Sequence, residues 1–190
     1  MVYDIRCTAR LLATAMLAAS LTVALPVHAQ KDAPKAPASA ATTAATTAAP
    51  MIEGNTFDKK AFELKSLKGK VVLVMFWSTD CAVCRDKMGE LRQNMQGWAD
   101  KPFELVLVST DRRMQDVDSY NAIINKSVPL KQRGVQLWSG EASYKDNLGS
   151  SQLQRAQLPT TLLIDKTGKL VERYNGRIPA EVWDTISDLL

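Results

Sequence analysis

Two cysteines separated by two residues are the side chains of this sequence best suited to covalent chemistry. Cys81 and Cys84 follow an apolar run that ends at Trp77, and they begin a stretch with helical spacing. The first turn of a helix has unpaired N–H groups and the positive end of the helix dipole, so a thiolate on Cys81 would be stabilised and its pKa should fall. Cys84, one turn later, should be shielded. An accessible sulfur with a shielded partner is the arrangement that thiol–disulfide exchange requires.

Other uses of a cysteine pair can be compared with this one. A zinc site needs four ligands, whereas the chain has 3 Cys and 1 His, and both Cys7 and His28 lie in the first 29 residues. We therefore predict no metal site. A structural disulfide stays open as an alternative, although a bridge across so short a loop gains little entropy. The position of the pair at a strand-to-helix junction favours redox chemistry.

The elements around the cysteines can be predicted from hydrophobic periodicity. The continuous apolar run Val71–Trp77 predicts a central strand covered on both faces. Residues 78–80 are N-cap types, and apolar positions spaced by four and three predict a helix from Cys81 to Trp98. Further patterns predict strands at 61–65, 103–109, 135–138, 160–165 and 170–174, and helices at 116–126, 143–148 and from Pro179 onward. This order predicts an α/β fold with a central mixed sheet flanked by helices.

The N-terminal part of the chain has the features of an export signal. Arg6 and Arg10 precede an apolar run at 11–25, and residues 27–29 resemble a small-x-small cleavage site. We predict a signal peptide at 1–29, with an uncleaved membrane anchor as the alternative. Residues 30–54 are rich in Ala, Thr and Pro and predict a flexible linker. The folded domain is predicted at 55–190, and its location in the periplasm.

Composition bears on partners and cofactors. Lys and Arg number 24 against 20 Asp and Glu, an excess too small to predict a nucleic-acid partner. The sequence contains no nucleotide or flavin motif, so we expect no cofactor. We also expect a monomer.

Two segments carry a resemblance to a known family. Residues 72–85 (VLVMFWSTDCAVCR) and 158–169 (LPTTLLIDKTGK) resemble the TlpA/ResA-like branch of the thioredoxin superfamily. The resemblance covers about residues 55–190 and implies a thioredoxin-like fold, with a helix-strand-helix insertion at 111–149 before the proline loop. It also implies that Pro159 is cis and faces the cysteines. Leu158 would offer backbone hydrogen bonds to substrate, and Thr160 belongs to the same loop.

Several residues near the cysteines bear on thiolate stability. Trp77 matches the family's aromatic residue, although a role in core packing is at least as plausible. Asp80 stands where many members have Trp, and its carboxylate would raise the pKa of Cys81. Lys87 stands where reductases of this branch often have Glu, and Arg85 and Lys87 would oppose the effect of Asp80. The sign of the net shift therefore stays open.

Our first hypothesis is a reductase of disulfides in exported proteins, and reduction of apocytochrome c in cytochrome c maturation is one role of the family. Re-reduction would come from a membrane electron donor of the DsbD or CcdA type. Strong oxidants of the superfamily place His where this chain has Val83. A disulfide donor or isomerase is the first alternative, and a non-catalytic binding module with a structural disulfide is the second. A peroxiredoxin fits poorly, because no Pro precedes Cys81 in the loop and Ser78 replaces the expected Thr.

Overall fold

The computed structural model describes residues 50–148 and 157–190. The predicted signal peptide at 1–29 and the linker prediction up to residue 49 lie outside the described residues. No helix within the described ranges is long and apolar enough to cross a membrane.

The described elements follow one another as strands alternating with helices. In chain order they are β1 (Ile52–Asn55), β2 (Ala61–Glu63), β3 (Val71–Trp77), α1 (Ala82–Gly97), β4 (Phe103–Ser109), α2 (Met114–Ser127), β5 (Val135–Trp138), β6 (Lys145–Asp146), β7 (Thr160–Ile164), β8 (Leu170–Asn175) and α3 (Glu181–Leu189). Short 3₁₀ helices lie at Leu64–Leu67 and Leu130–Gln132.

The main sheet has five strands in the order β5-β4-β3-β7-β8. Strand β3 is central, parallel to β4 and antiparallel to β7. All seven of its residues are buried, which explains the unbroken apolar run that an interior strand covered on both faces requires. The α/β class and the central mixed sheet flanked by helices are confirmed.

Alternate residues of β3 point into two hydrophobic clusters on opposite faces of the sheet. We call the first the cysteine-side cluster, because it contains Cys84 together with buried residues of β3, α1, α2 and α3, including Val71, Leu73, Met75, Trp77, Met88, Leu91, Val117, Val182 and Ile186. The second, the far-side cluster, includes Ile52, Phe62, Leu64, Val72, Val74, Phe76 and Leu137. Helix α1, which begins at the cysteines, therefore packs against one face of the main sheet.

A second, three-stranded sheet in the order β2-β1-β6 was not predicted. Strand β1 begins three residues before the domain boundary predicted at Asn55, and the buried Ile52 belongs to the folded part of the chain. The helix predicted at 143–148 is wrong, because Lys145–Asp146 pairs with Ile52 and Glu53 as an antiparallel strand. A segment of six residues has little helical stability of its own, so this pairing decides its structure.

The remaining boundaries differ by a few residues from those predicted. The strand predicted at 61–65 ends at Glu63 and continues as a 3₁₀ turn. The last helix begins at Glu181, two residues after Pro179. Within the insertion, the helix and the edge strand are present as α2 and β5, whereas the second helix is not formed at its predicted position.

Candidate active site

Cys81 and Cys84 form a disulfide at the start of α1. The two sulfurs are 2.06 Å apart, and the Cα atoms 5.3 Å apart. Cys81 is the N-cap residue, and its sulfur accepts a hydrogen bond from the Cys84 backbone N–H at 3.1 Å. The same N–H would favour negative charge on that sulfur after reduction. The predicted position of Cys81 at the helix N-terminus is confirmed.

The two cysteines differ in their exposure. Cys84 has no exposed surface and belongs to the same buried face as Met88 and Leu91. Cys81 is half-buried, and the neighbouring Val83 is 37% exposed. A substrate can therefore approach the first sulfur more easily than the second, as predicted from the helical spacing.

The proline loop and the cysteines lie at the same end of the strands of the main sheet, where β3 ends and β7 begins. The Leu158–Pro159 peptide bond is cis, as the family resemblance implied. Thr160 pairs with Phe76 near the end of β3, so the peptide bond lies beside the strand end that leads to Cys81. The Pro159 carbonyl accepts a hydrogen bond from the Gly176 N–H at 2.7 Å.

Leu158 and Thr160, the described residues on either side of Pro159, differ in their surroundings. Leu158 is half-buried, and its backbone forms no hydrogen bond with another residue in the described part of the chain. Thr160 is fully buried, and its hydroxyl lies 3.5 Å from Asn175 Oδ1. Thr160 is therefore enclosed by the sheet, and the role of Leu158 in binding substrate stays a prediction.

The residues predicted to tune the thiol occupy different environments. Trp77 is buried, and its ring packs against Tyr120 at 4.9 Å between centroids, which is consistent with core packing. Asp80 is exposed and accepts a hydrogen bond from the Ser78 hydroxyl. Arg85 is also exposed, and it forms no ion pair with any residue at 50–148 or 157–190. Their effect on the thiol stays a prediction.

Lys87 lies in a cluster that the sequence did not predict. Its Nζ is 2.5 Å from Glu90 Oε2 and 5.7 Å from the centroid of the Trp183 ring, and the Trp183 indole N–H donates to Glu90. The hydrogen bond from Lys87, followed by that from Trp183, lowers the pKa of Glu90 despite partial burial. The i,i+3 spacing of Lys87 and Glu90 was a signal that could have identified this pair.

Asp111, two residues after the end of β4, lies near the site and was not identified from the sequence. Its carboxylate accepts hydrogen bonds from the backbone N–H and the hydroxyl of Thr79, two residues before Cys81. The contact spans 32 residues of sequence, and no local pattern indicates it.

Comparison with known proteins places the chain among thioredoxin-like proteins. The model of the AhpC/TSA family matches residues 45–185. A thiol-disulfide oxidoreductase ResA from Bacillus cereus is 28% identical over 129 residues, covering 67% of this chain and 68% of the relative. The thioredoxin-like protein YneN from Bacillus subtilis is 23% identical over 145 residues, covering 74% and 77%.

Solved structures show the same fold. The thioredoxin domain of a thiol-disulfide oxidoreductase from Bacteroides vulgatus superposes with a TM-score of 0.57 and 27% identity, covering 76% of this chain and 96% of that one. A thiol:disulfide interchange protein from Chlorobium tepidum superposes with a TM-score of 0.57 and 24% identity, covering 77% and 97%. The thioredoxin-like fold predicted from the sequence is confirmed.

Proposed function

Because the chain belongs to the AhpC/TSA family and has the fold and cysteine pair of a thiol-disulfide oxidoreductase, we propose that it reduces disulfides in exported proteins through Cys81 and Cys84. The observation that carries this proposal is the unequal exposure of two bonded sulfurs at a helix N-terminus. The names of its ResA relatives agree with it.

The reaction follows from this geometry as two exchange steps. The Cys81 thiolate attacks one sulfur of a substrate disulfide, which forms a mixed disulfide and releases the other substrate sulfur as a thiolate that takes up a proton. The Cys84 thiol loses its proton and attacks the Cys81 sulfur, which releases the second substrate thiolate and forms the Cys81–Cys84 disulfide. The substrate gains two electrons and two protons. Leu158 would hold the substrate chain beside the sulfur.

The direction of electron flow and the location are part of the proposal. Val83 supports a reductase, because it supplies neither charge nor a hydrogen bond to a reduced Cys81. The signal peptide predicted at 1–29 supports export to the periplasm, where substrates would include proteins such as apocytochrome c. A membrane donor of the DsbD or CcdA type would then return the cysteines to the dithiol form.

Insulin reduction tests the proposed chemistry. We expect the reduced protein to cleave insulin disulfides, Cys81→Ser to abolish the activity, and Cys84→Ser to accumulate a mixed disulfide at Cys81. Val83→Ala is the matched control, because it changes the segment between the cysteines, adds no charge or hydrogen-bonding group and leaves both sulfurs in place. Equal inactivity of all four proteins would leave a structural disulfide in a binding module as the better account.

The reduction potential of the Cys81–Cys84 couple tests the direction. A value near about −270 mV, as in thioredoxin, supports the reductase, and one near about −120 mV indicates a disulfide donor. Equilibration of the oxidised protein with glutathione or dithiothreitol of known potential, followed by mass spectrometry of the alkylated cysteines, gives the value directly.

A further inference from the structure

The loop at residues 78–80 determines where Cys81 meets the helix. It joins β3 to α1, and its internal restraint is a turn in which the Cys81 N–H donates to the Ser78 carbonyl at 3.1 Å. When the disulfide is reduced, the bond between the sulfurs no longer restrains Cys81. The contacts of the loop then decide whether the sulfur stays near the Cys84 N–H, 3.1 Å away in the oxidised form.

A buried carboxylate supplies the strongest of these contacts. Asp111 is only 4% exposed. Its Oδ1 accepts hydrogen bonds from the Thr79 N–H at 3.0 Å and from the Thr79 hydroxyl at 2.7 Å. Hydrogen bonds to a carboxylate are stronger than those between neutral groups. Thr79 is therefore held through both its backbone and its side chain.

Asp111 is itself held by the main sheet. The Ser109 hydroxyl donates to Asp111 Oδ2 at 2.7 Å and accepts from the Asp111 N–H at 3.1 Å. The Trp138 indole N–H donates to the Asp111 carbonyl at 2.8 Å. Ser109 joins the carboxylate to the end of β4, and Trp138 joins the backbone of Asp111 to the end of β5, so Asp111 is held from two strands of the sheet.

We propose that Asp111 is a positioning residue that holds Cys81 at the N-terminus of α1 through Thr79 and thereby sets the reactivity of the reduced sulfur. This proposal rests on the proposed function, since it concerns the sulfur that attacks the substrate. Asp111 acts through Thr79 and has no part in the exchange steps. Reactivity should depend on it because a displacement of about 1 Å can reduce a rate about a hundredfold.

Four substitutions separate this role from a purely structural one. Thr79→Val removes the loop hydroxyl that contacts Asp111 and keeps the branched shape. Ser109→Ala is the matched control, because it removes the two hydrogen bonds between Ser109 and Asp111 on the sheet side. The three bonds from Thr79 to the carboxylate and the bond from Trp138 to the Asp111 carbonyl remain. Asp111→Ala removes all the bonds to the carboxylate, and Asp111→Asn keeps the shape and one acceptor oxygen.

The experiment is alkylation of Cys81 in the reduced protein by iodoacetamide as a function of pH, with the labelled cysteine identified by mass spectrometry. We expect Asp111→Ala to lower the rate at pH 7 about tenfold or more, although removal of the carboxylate itself acts in the opposite direction on the pKa of the thiol. Thr79→Val keeps that charge, so it should lower the rate at pH 7 and move the midpoint of the pH profile upward. Asp111→Asn should restore part of the lost rate, and Ser109→Ala should keep the profile of the unaltered protein. Urea unfolding measured on each protein gives the loss of stability for comparison.

The proposal is overturned if the pH profiles of Asp111→Ala and Thr79→Val coincide with that of the unaltered protein. It is also overturned if Ser109→Ala shifts the profile as far as Thr79→Val does at equal loss of stability. Should Asp111→Ala fail to fold, the comparison of the pH profiles of Thr79→Val and Ser109→Ala tests the proposal on its own. Because alkylation needs no substrate, a protein that keeps the expected profiles but does not reduce insulin would contradict the proposed function alone.

Discussion

Replacing Glu90 by Gln should destabilise the protein more than replacing Lys87 by Met, although both changes break the same ion pair. The Lys87 side chain is 7% exposed, whereas that of Glu90 is 39% exposed. The free-energy cost of desolvating the charge is therefore larger for Lys87 than for Glu90. The two substitutions differ in whether that buried charge remains afterwards.

The magnitudes follow from this difference. Lys87→Met removes the buried charge and keeps a side chain of similar volume, so we expect a change within about 1 kcal/mol of unfolding free energy. Glu90→Gln leaves the ammonium group buried without its counterion, which costs about 3–5 kcal/mol in a fully buried pair. The Trp183 ring, 5.7 Å from Lys87 Nζ, still attracts the charge, and Glu90 is partly exposed. We therefore expect about 2 kcal/mol.

The pH dependence provides an independent test of the same reasoning. The pKa of folded Glu90 is lowered, chiefly by the hydrogen bond from Lys87. Its contribution to stability is therefore fully present above the pKa of an unfolded glutamate, about 4.3, and is lost as the pH falls through the lower folded value. The difference between Glu90→Gln and the unaltered protein should narrow as the pH is lowered below about 4.3.

Urea unfolding of the oxidised protein, followed by far-UV circular dichroism, measures these free energies without relying on Trp183 fluorescence. Lys70→Met is the control, because Lys70 pairs with Glu104 at 2.7 Å with its side chain 43% exposed, and such pairs contribute less than about 1 kcal/mol. A larger loss for Lys87→Met than for Glu90→Gln would refute the desolvation argument. A Glu90→Gln deficit that is equal at pH 7 and pH 3 would show that charge is not its cause.

Three further substitutions test local features of the fold by thermal unfolding. Gly134→Ala should destabilise by more than about 1 kcal/mol, because Gly134 has φ +67° and a Cβ there would lie 2.7 Å from the Leu105 carbonyl oxygen; an unchanged Tm would contradict this backbone geometry. Gly89→Ala should stabilise the protein by about 0.5–1 kcal/mol, since Gly89 is within α1 and an added Cβ would meet nothing within 4 Å. A loss of stability would contradict an exposed position in the interior of the helix. Asp165→Ala should cost about 1 kcal/mol at neutral pH, because Asp165 accepts hydrogen bonds from the Thr167 side chain and backbone that lower its pKa; the loss should vanish in acid as the carboxyl is protonated, and a deficit that persisted there would contradict the cause.

The parts of the molecule that were predicted correctly are those specified by local patterns. The apolar run of β3 and the four-and-three spacing of apolar residues in α1 can be recognised from residues that are close together in the sequence. They were sufficient to place Cys81 at the helix N-terminus and Cys84 on the buried face. The cis bond before Pro159 followed from a resemblance to a family and from no property of the residues themselves.

The features that escaped prediction depend on contacts between distant segments. Asp111 and Thr79 are 32 residues apart, and Trp183 and Glu90 are 93 apart. Strand β6 exists because Asp146 and Lys145 pair with β1 near the start of the described chain. Such pairs are determined by the packing of the whole domain, so they cannot be predicted from hydrophobic periodicity along the sequence.

The small sheet β2-β1-β6 also determines how mechanical load would reach the domain. Force applied ahead of residue 50 would enter β1 and pass to β2 and β6 through their antiparallel hydrogen bonds. Ile52 packs in the far-side cluster, across the main sheet from the cysteines. In a protein fused or immobilised through its N-terminal side, the force should therefore be borne by a sheet that is remote from the reactive sulfur. We expect such a protein to retain its redox activity on a surface.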